Sequence, residues 1–311
     1  MELGDVLKAR MITRRDFIKM VTAAAAALGL SEILPPNFAQ AAAKPPVVWL
    51  HGQECTGCSE SVLSGLAGPC WDQPNPVDVI LDVVEIKYHE TIMAAAGEVA
   101  EHALEEAIKQ GGYVLVVEGS IPAADKRFLY VGGKPLEATF VDAAKNAAAI
   151  LAVGACATYG GINRPTPSKG RGVDYFLQKY KINKPLINLP GCPVRPEWFF
   201  GTVIHYLTKG VPQLDRFKRP VLYFGKTVHS ECPRKHHYDE GRFLFDWNDP
   251  KQADYCLFFK GCKGYVTFSD CPNLLWNDGA NWCIGVNAPC SGCTEPSFYP
   301  GLSPLFKLRE D

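Results

Sequence analysis

The sequence predicts an α/β fold in two parts: a mostly parallel sheet with flanking helices, followed by an irregular stretch that regular layers do not organise. Three observations carry that expectation. Short apolar runs alternate with helical patterns from Val47 to about Gly210, the periodicity fades beyond Arg219, and seven of the twelve cysteines in the 311-residue chain lie in that last stretch. With 47% hydrophobic residues the chain can bury a core without disulfide staples. The 32 basic and 33 acidic side chains leave a formal net charge of −1, so nothing points to a nucleic-acid footprint or a polybasic membrane surface.

The apolar runs place strands at Val47–Leu50, Val79–Ile86, Tyr113–Val117, Ile150–Val153 and Leu186–Leu189. Helical patterns fall between them: one from Ser59, then Glu98–Lys109, Phe140–Ala148, Val173–Tyr180 and Glu197–Leu207. Strand and helix alternating in this way make a flavodoxin-like pattern. Ahead of it, Thr13-Arg14-Arg15-Asp16-Phe17-Ile18-Lys19 precedes an alanine-rich apolar run from Met20 to Leu30, too short to span a bilayer, and then the small residues Ala39, Ala41 and Ala43. That is the pattern of a twin-arginine export signal. The expected organisation is therefore a signal over 1–43, a flavodoxin-like domain over 44–214 and a cysteine-rich domain over 215–311. Downstream, no stretch is apolar enough for a membrane helix. A periplasmic protein, soluble or held at the membrane through another subunit, is expected.

In an open parallel sheet, ligands bind outside the carboxyl ends of the strands. Cys55 and Cys58 follow the first strand, Cys156 follows the fourth in Gly154-Ala155-Cys156, and Cys192 follows the fifth in Pro190-Gly191-Cys192-Pro193. Four thiolates on one sheet edge fit a cubane iron–sulfur cluster or a zinc ion. A second group is His229, Cys232, Cys256 and Cys262; a third is Cys271, Cys283, Cys290 and Cys293. Eleven cysteines and His229 thus make twelve ligands, or three sites of four, and only Cys70 is left over as a buried or unpaired thiol.

Disulfides are the plain alternative for an exported chain. A twin-arginine signal, however, implies export after folding, as a protein that takes up a cofactor in the reducing cytoplasm requires, and Cys-x-x-Cys at a strand end is a metal or redox motif. Zinc at all three sites, giving an exported binding module, and a free-standing multi-cluster electron carrier are the other two alternatives.

Glu54-Cys55-Thr56-Gly57-Cys58, Glu118-Gly119-Ser120-Ile121-Pro122, Gly154-Ala155-Cys156, Pro190-Gly191-Cys192-Pro193, His229-Ser230-Glu231-Cys232-Pro233, Gly261-Cys262-Lys263-Gly264 and Pro289-Cys290-Ser291-Gly292-Cys293 together resemble the small subunit of periplasmic nickel–iron hydrogenases. Any one of these motifs is weak, but in order along the chain they are specific. The resemblance implies a proximal [4Fe-4S] cluster at Cys55, Cys58, Cys156 and Cys192, facing a large subunit that carries the nickel–iron centre. It further implies a distal [4Fe-4S] cluster at His229, Cys232, Cys256 and Cys262, with a medial cluster between the two. The subunit would relay electrons between that centre, where dihydrogen is split, and an external acceptor, either a cytochrome or a membrane partner feeding quinone.

Two departures from the family pattern matter. Many members hold a medial [3Fe-4S] cluster and have proline where this chain has Cys283, so a [4Fe-4S] cluster at Cys271, Cys283, Cys290 and Cys293 is expected here; small subunits paired with selenium-containing large subunits share this feature. Oxygen-tolerant members carry two extra cysteines at the positions of Gly57 and Gly161, so ordinary oxygen sensitivity is expected. Glu54 and Glu118, at strand ends, read as solvated loop carboxylates, with a role at the partner interface or in a proton route as the alternative. His51, His89, His102, His205, His236 and His237 are assigned no catalytic role. The run Arg234-Lys235-His236-His237 reads as a solvated charged face, with steering of an acceptor as the alternative.

Overall fold

A computed structural model describes residues 45–64, 84–277 and 279–299 of the chain, without the side chains of 204 and 208. The export-signal assignment, Cys70 and most of the expected Val79–Ile86 strand lie outside those residues.

Five parallel strands form the central sheet: β1 (Pro46–His51), β2 (Glu85–His89), β3 (Val114–Glu118), β4 (Ala149–Val153) and β5 (Leu186–Leu189), in the order β2-β1-β3-β4-β5. This is the flavodoxin-like order, with its switch point between β1 and β3. Four strands match the sequence expectation to within a residue or two. The second is described only from its end: Glu85 and Ile86 lie in β2, whose pairing with β1 begins at Pro46 opposite Glu85, and the strand runs on to His89, past the expected end. Its position explains the extension, because an edge strand tolerates the polar Glu85 and Lys87 that a buried strand cannot.

Side chains alternate across the sheet, and both faces are covered. On one face Val48, Leu50, Leu115, Val117, Ile150 and Ala152 pack with Leu104 of α2 (Glu98–Gln110), Phe140 and Ala144 of α3 (Leu136–Asn146) and Phe176 of α5 (Val173–Lys179). On the other, Val47, Trp49, Val116, Leu151, Val153 and Ile187 meet Val62 of α1 (Gly57–Ser64) and Trp198, Phe199 and Val203 of α6 (Pro196–Lys209). Each fully buried Leu, Ile or Phe of these layers contributes roughly 1.5–3 kcal/mol. One helix was not foreseen: α4 (Gly154–Tyr159) opens directly at the end of β4 and carries Cys156.

Beyond Lys209 only short helices, single 3-10 turns and isolated bridges remain among the described residues. A small core of Val228, Leu244, Leu257, Trp282 and Ile284 packs beside Cys232, Cys262, Cys271 and Cys290. Polar contacts tie this half to the sheet half, among them an Arg164 guanidinium nitrogen donating to the Pro296 carbonyl at 3.2 Å, and a clamp at Arg219 closes this half on itself. Trp198 Nε1 donates to Asp270 Oδ1 at 2.8 Å, and an Arg195 guanidinium nitrogen donates to the Leu274 carbonyl at 3.4 Å. Arg219, 2% exposed, binds Asp215 at 2.8 Å, the Thr294 carbonyl at 3.0 Å and Glu295 at 2.9 Å.

Candidate metal centres

The register of the sheet gathers the first four cysteines. His51 pairs with Glu118, Glu118 with Val153 and Val153 with Leu189, so the four central strands end level and the loops after β1, β4 and β5 open on one crevice. The Ala155 N–H donates to the Gly191 carbonyl at 2.7 Å and the Val194 N–H to the Cys58 thiol at 3.5 Å, binding the loops together. Two glycines make room for sulfur. A Cβ on Gly154, at φ 81°, would collide with the Cys58 thiol, and one on Gly161, at φ 49°, would lie 2.5 Å from the Cys156 thiol. Thr56, between Cys55 and Gly57, is held at φ 62°, a sparse conformation for a β-branched residue and a mark of a turn fixed by its surroundings.

Burial is the main cause that raises the thiols of this crevice, and their mutual charge adds to it. Cys58 stands well above its ordinary value through burial, then the Glu118 charge, with Cys156 and Cys192 contributing. Cys156 is pushed up to about 12 by burial, then by Cys192, Cys55 and Glu118. Cys192 is raised by burial and by Cys55. A neutral thiol is what such a pocket holds without a cation; an iron or zinc ion supplies the positive charge that keeps thiolates there.

The other two groups assemble in part. Burial raises Cys232 and Cys256, and the charge of Cys262 adds to both. His229 sits in the same loop system, its ring 4.7 Å from that of Tyr238, and burial holds its pKa below the usual imidazole range, favouring the neutral form that ligates metals. Cys293 is raised well above its ordinary value by burial, then by Cys271 and Cys290. Cys283 is an exposed residue with a partly covered thiol; that cover raises it, and the cysteine charge that reaches it is that of Cys262 in the second group, not of its own.

The groups follow one another in space. The charge of Cys192 also raises the Cys293 thiol, so the first group lies beside the third. Cys290 feels the charge of both Cys271 and Cys262, and the Lys263 N–H donates to the Cys290 carbonyl at 2.7 Å, joining the third group to the second. Eleven cysteines among the described residues are free thiols. Among those residues no three His, Cys, Asp or Glu side chains close on one point as a single ion requires. Sets of cysteine thiols, one of them with an imidazole beside it, are the donor chemistry of an iron–sulfur cluster or a zinc ion.

Glu118 corrects the sequence reading. It is 2% exposed rather than solvated and accepts bonds from Trp49 Nε1 at 3.3 Å, the Cys58 N–H at 3.0 Å, the Ser59 N–H at 3.1 Å and Ser59 Oγ at 2.5 Å. Glu54, half-buried, meets His51 Nδ1 at 3.2 Å. Sequence reasoning also missed the environment of His51 and His89, both buried, with ring centroids 4.7 Å apart and His89 Nε2 3.3 Å from Ser59 Oγ. The sequence does contain one signal for Glu118: a carboxylate ending an otherwise apolar strand at the switch point. In the Arg234–His237 run, Lys235 pairs with Asp239 at 2.6 Å and Arg234 donates to the Ala253 and Tyr255 carbonyls, so both cations are engaged within the loop.

Sheet order and thiol-lined edge define the class: a doubly wound α/β protein whose switch-point crevice is built from cysteines. Residues 224–306 match the model of the C-terminal region of the NiFe/NiFeSe hydrogenase small subunit, and residues 55–206 that of the NADH ubiquinone oxidoreductase 20 Kd subunit. The chain is 41% identical to the periplasmic [NiFe] hydrogenase small subunit of Solidesulfovibrio fructosivorans, over 95% of this chain and 93% of that one. It is 39% identical to periplasmic [NiFe] hydrogenase small subunit 1 of Nitratidesulfovibrio vulgaris, over 97% and 95%. A solved chain of the recombinant [NiFeSe] hydrogenase from Desulfovibrio vulgaris Hildenborough superposes with a TM-score of 0.77 at 36% identity, over 86% of this chain and 99% of that one. The chain belongs to the nickel–iron hydrogenase small-subunit family. The catalytic centre of these enzymes lies in a large subunit, so the family membership implies such a partner.

Proposed function

We propose that this chain relays electrons between the dihydrogen-splitting centre of a nickel–iron large subunit and an external acceptor. The observation that carries the reading is the succession of the groups: the Cys192 charge reaches Cys293, the Cys262 charge reaches Cys290, and the Lys263 N–H beside Cys262 donates to the Cys290 carbonyl at 2.7 Å. Cys55, Cys58, Cys156 and Cys192 would hold the proximal [4Fe-4S] cluster, Cys271, Cys283, Cys290 and Cys293 a medial [4Fe-4S] cluster, and His229, Cys232, Cys256 and Cys262 the distal [4Fe-4S] cluster. Bound iron–sulfur clusters supply reversible one-electron steps. The protein's own work is to set ligand identity, burial and hydrogen bonding, and the neutral His229 imidazole in place of a thiolate changes the net charge of the distal site.

The domain division at 44–214 and 215–311 suits this arrangement, with the first ligand group at the sheet edge and the other two in the irregular half. Export through a twin-arginine signal over 1–43 to the periplasm fits relatives whose names place them there. Exposed Phe245, Phe259 and Trp247 border the distal loops, and an acceptor, whether a cytochrome or a quinone-reducing membrane partner, would dock at that end. Ordinary oxygen sensitivity follows from glycine at 57 and 161: a side chain at either position would lie against the Cys55 or Cys156 thiol, where this chain offers no further sulfur.

The test is to break the middle of the line. With Cys293→Ala in the two-subunit enzyme, dihydrogen still reduces the proximal cluster, followed by paramagnetic resonance, while acceptor reduction falls about 100-fold or more through loss of the relay. Unchanged acceptor reduction in a variant shown to lack the medial signal would remove the relay reading.

A further inference from the structure

Glu118 is a buried carboxylate at the switch point of the sheet, and the ligand assignments leave it without a role. Its four partners, Trp49 Nε1, the Cys58 and Ser59 N–H groups and Ser59 Oγ, are able to donate to it, and among the described residues no cation pairs with it. Both oxygens thus lie against hydrogen-bond donors. Two of those bonds go to the first residues of α1, which begins at Gly57 and presents its free N–H groups to the crevice. Its charge also reaches the thiols, raising both Cys58 and Cys156.

We propose that Glu118 is a positioning residue for the proximal cluster: it anchors the Cys55–Ser59 turn through the N–H groups of Cys58 and Ser59, and its fixed negative charge lowers the reduction potential of that cluster. The proposal rests on the cluster assignment above. A buried negative charge beside a group that gains an electron disfavours the reduced state, and little water is present to screen it. A purely structural helix cap would hold the turn but leave the potential where it is.

The experiment is a redox titration of the proximal signal by paramagnetic resonance in the assembled two-subunit enzyme, comparing the parent with Glu118→Gln and Ser59→Ala. Glu118→Gln keeps one acceptor oxygen and removes the charge; the ratio of reduced to oxidised cluster at a fixed potential rises about tenfold, equivalent to about 59 mV for a one-electron couple. Ser59→Ala keeps the carboxylate and its backbone bonds but removes a hydroxyl that compensates the charge, and the ratio falls roughly threefold. A Glu118→Gln enzyme that loses the iron of this cluster alone supports the anchoring role, and Ser59→Ala then decides the charge role. Overturning results are a loaded Glu118→Gln enzyme at the parent potential or, where that variant does not load, Ser59→Ala at the parent potential. A parent enzyme without a proximal signal would sink the cluster assignment itself, an outcome distinct from a loaded parent with unmoved variants.

Discussion

Between Pro46 and Lys209 a five-stranded sheet buries apolar side chains on both faces, whereas from Val221 to Tyr299 short turns enclose a small core of Val228, Leu244, Leu257, Trp282 and Ile284, lean Tyr223, Phe224, Phe298 and Tyr299 on other clusters, and leave Phe245, Trp247 and Phe259 exposed. The first half has the layers that the hydrophobic effect needs to fold a chain. The second has seven cysteines in their place. The proposed ligands would also be its fasteners: where apolar burial is thin, the free energy of metal binding is folding free energy. In the same proposal the sheet half presents one ligand group from a frame with its own core.

The largest effect should therefore come from withholding iron. The iron-free chain is expected to lose hydrogen-exchange protection across the described residues beyond 220 while β1, β3, β4 and β5 keep theirs. Equal protection of both halves would erase the contrast. Next come two substitutions that separate the halves. Phe140→Ala, in the sheet core, should cost about 3–5 kcal/mol in denaturant unfolding of the loaded and the iron-free chain alike. Arg219→Ala leaves the buried Glu295 carboxylate without its cation and should also cost about 3–5 kcal/mol, but only in the loaded chain, where the segment beyond Lys209 is folded. A similar cost in the iron-free chain would show that the clamp forms without the metal.

A smaller and more local change is expected from Cys283→Pro. Iron should fall by about one atom per chain and the oxidised protein should gain the paramagnetic signal of a three-iron cluster, with the other two clusters intact. If the unsubstituted protein already shows that signal at full intensity, Cys283 is no ligand.

The smallest effect is an acid limb. His89 is buried, and that burial, with His51 beside it, lowers its pKa from about 6.5 to about 3. The unfolded chain takes up a proton below about pH 6.5 while the native imidazole stays neutral until about pH 3, so this residue's contribution is full above the unfolded value and declines as pH falls through the window. Comparing unfolding midpoints with His89→Gln should show the parent losing ground between those pH values. Parallel profiles would place the acid sensitivity elsewhere.

Much of this could be read from residues alone, because period-two apolar runs and cysteines at strand ends are local signals. Val114–Glu118, Ala149–Val153 and Leu186–Leu189 lie where their Val, Ile and Leu content put them. Edge strand β2 runs to His89, past the apolar run that suggested it, because polar Lys87 hides its continuation from a reading of apolar content. Helix α4 is too short for a periodic signal, although it carries Cys156. The burial of Glu118 and the Arg219–Glu295 clamp join residues 60 and 76 positions apart in sequence from their partners, and no local pattern records such contacts.

The most direct test of the central claim is the iron and acid-labile sulfide content per chain, measured on protein purified without air together with the large subunit that accompanies it. Three four-iron clusters predict about twelve of each, with nickel in the accompanying chain. Little iron, with zinc or oxidised thiols in its place, would contradict the relay and leave a sheet whose cysteines serve another purpose.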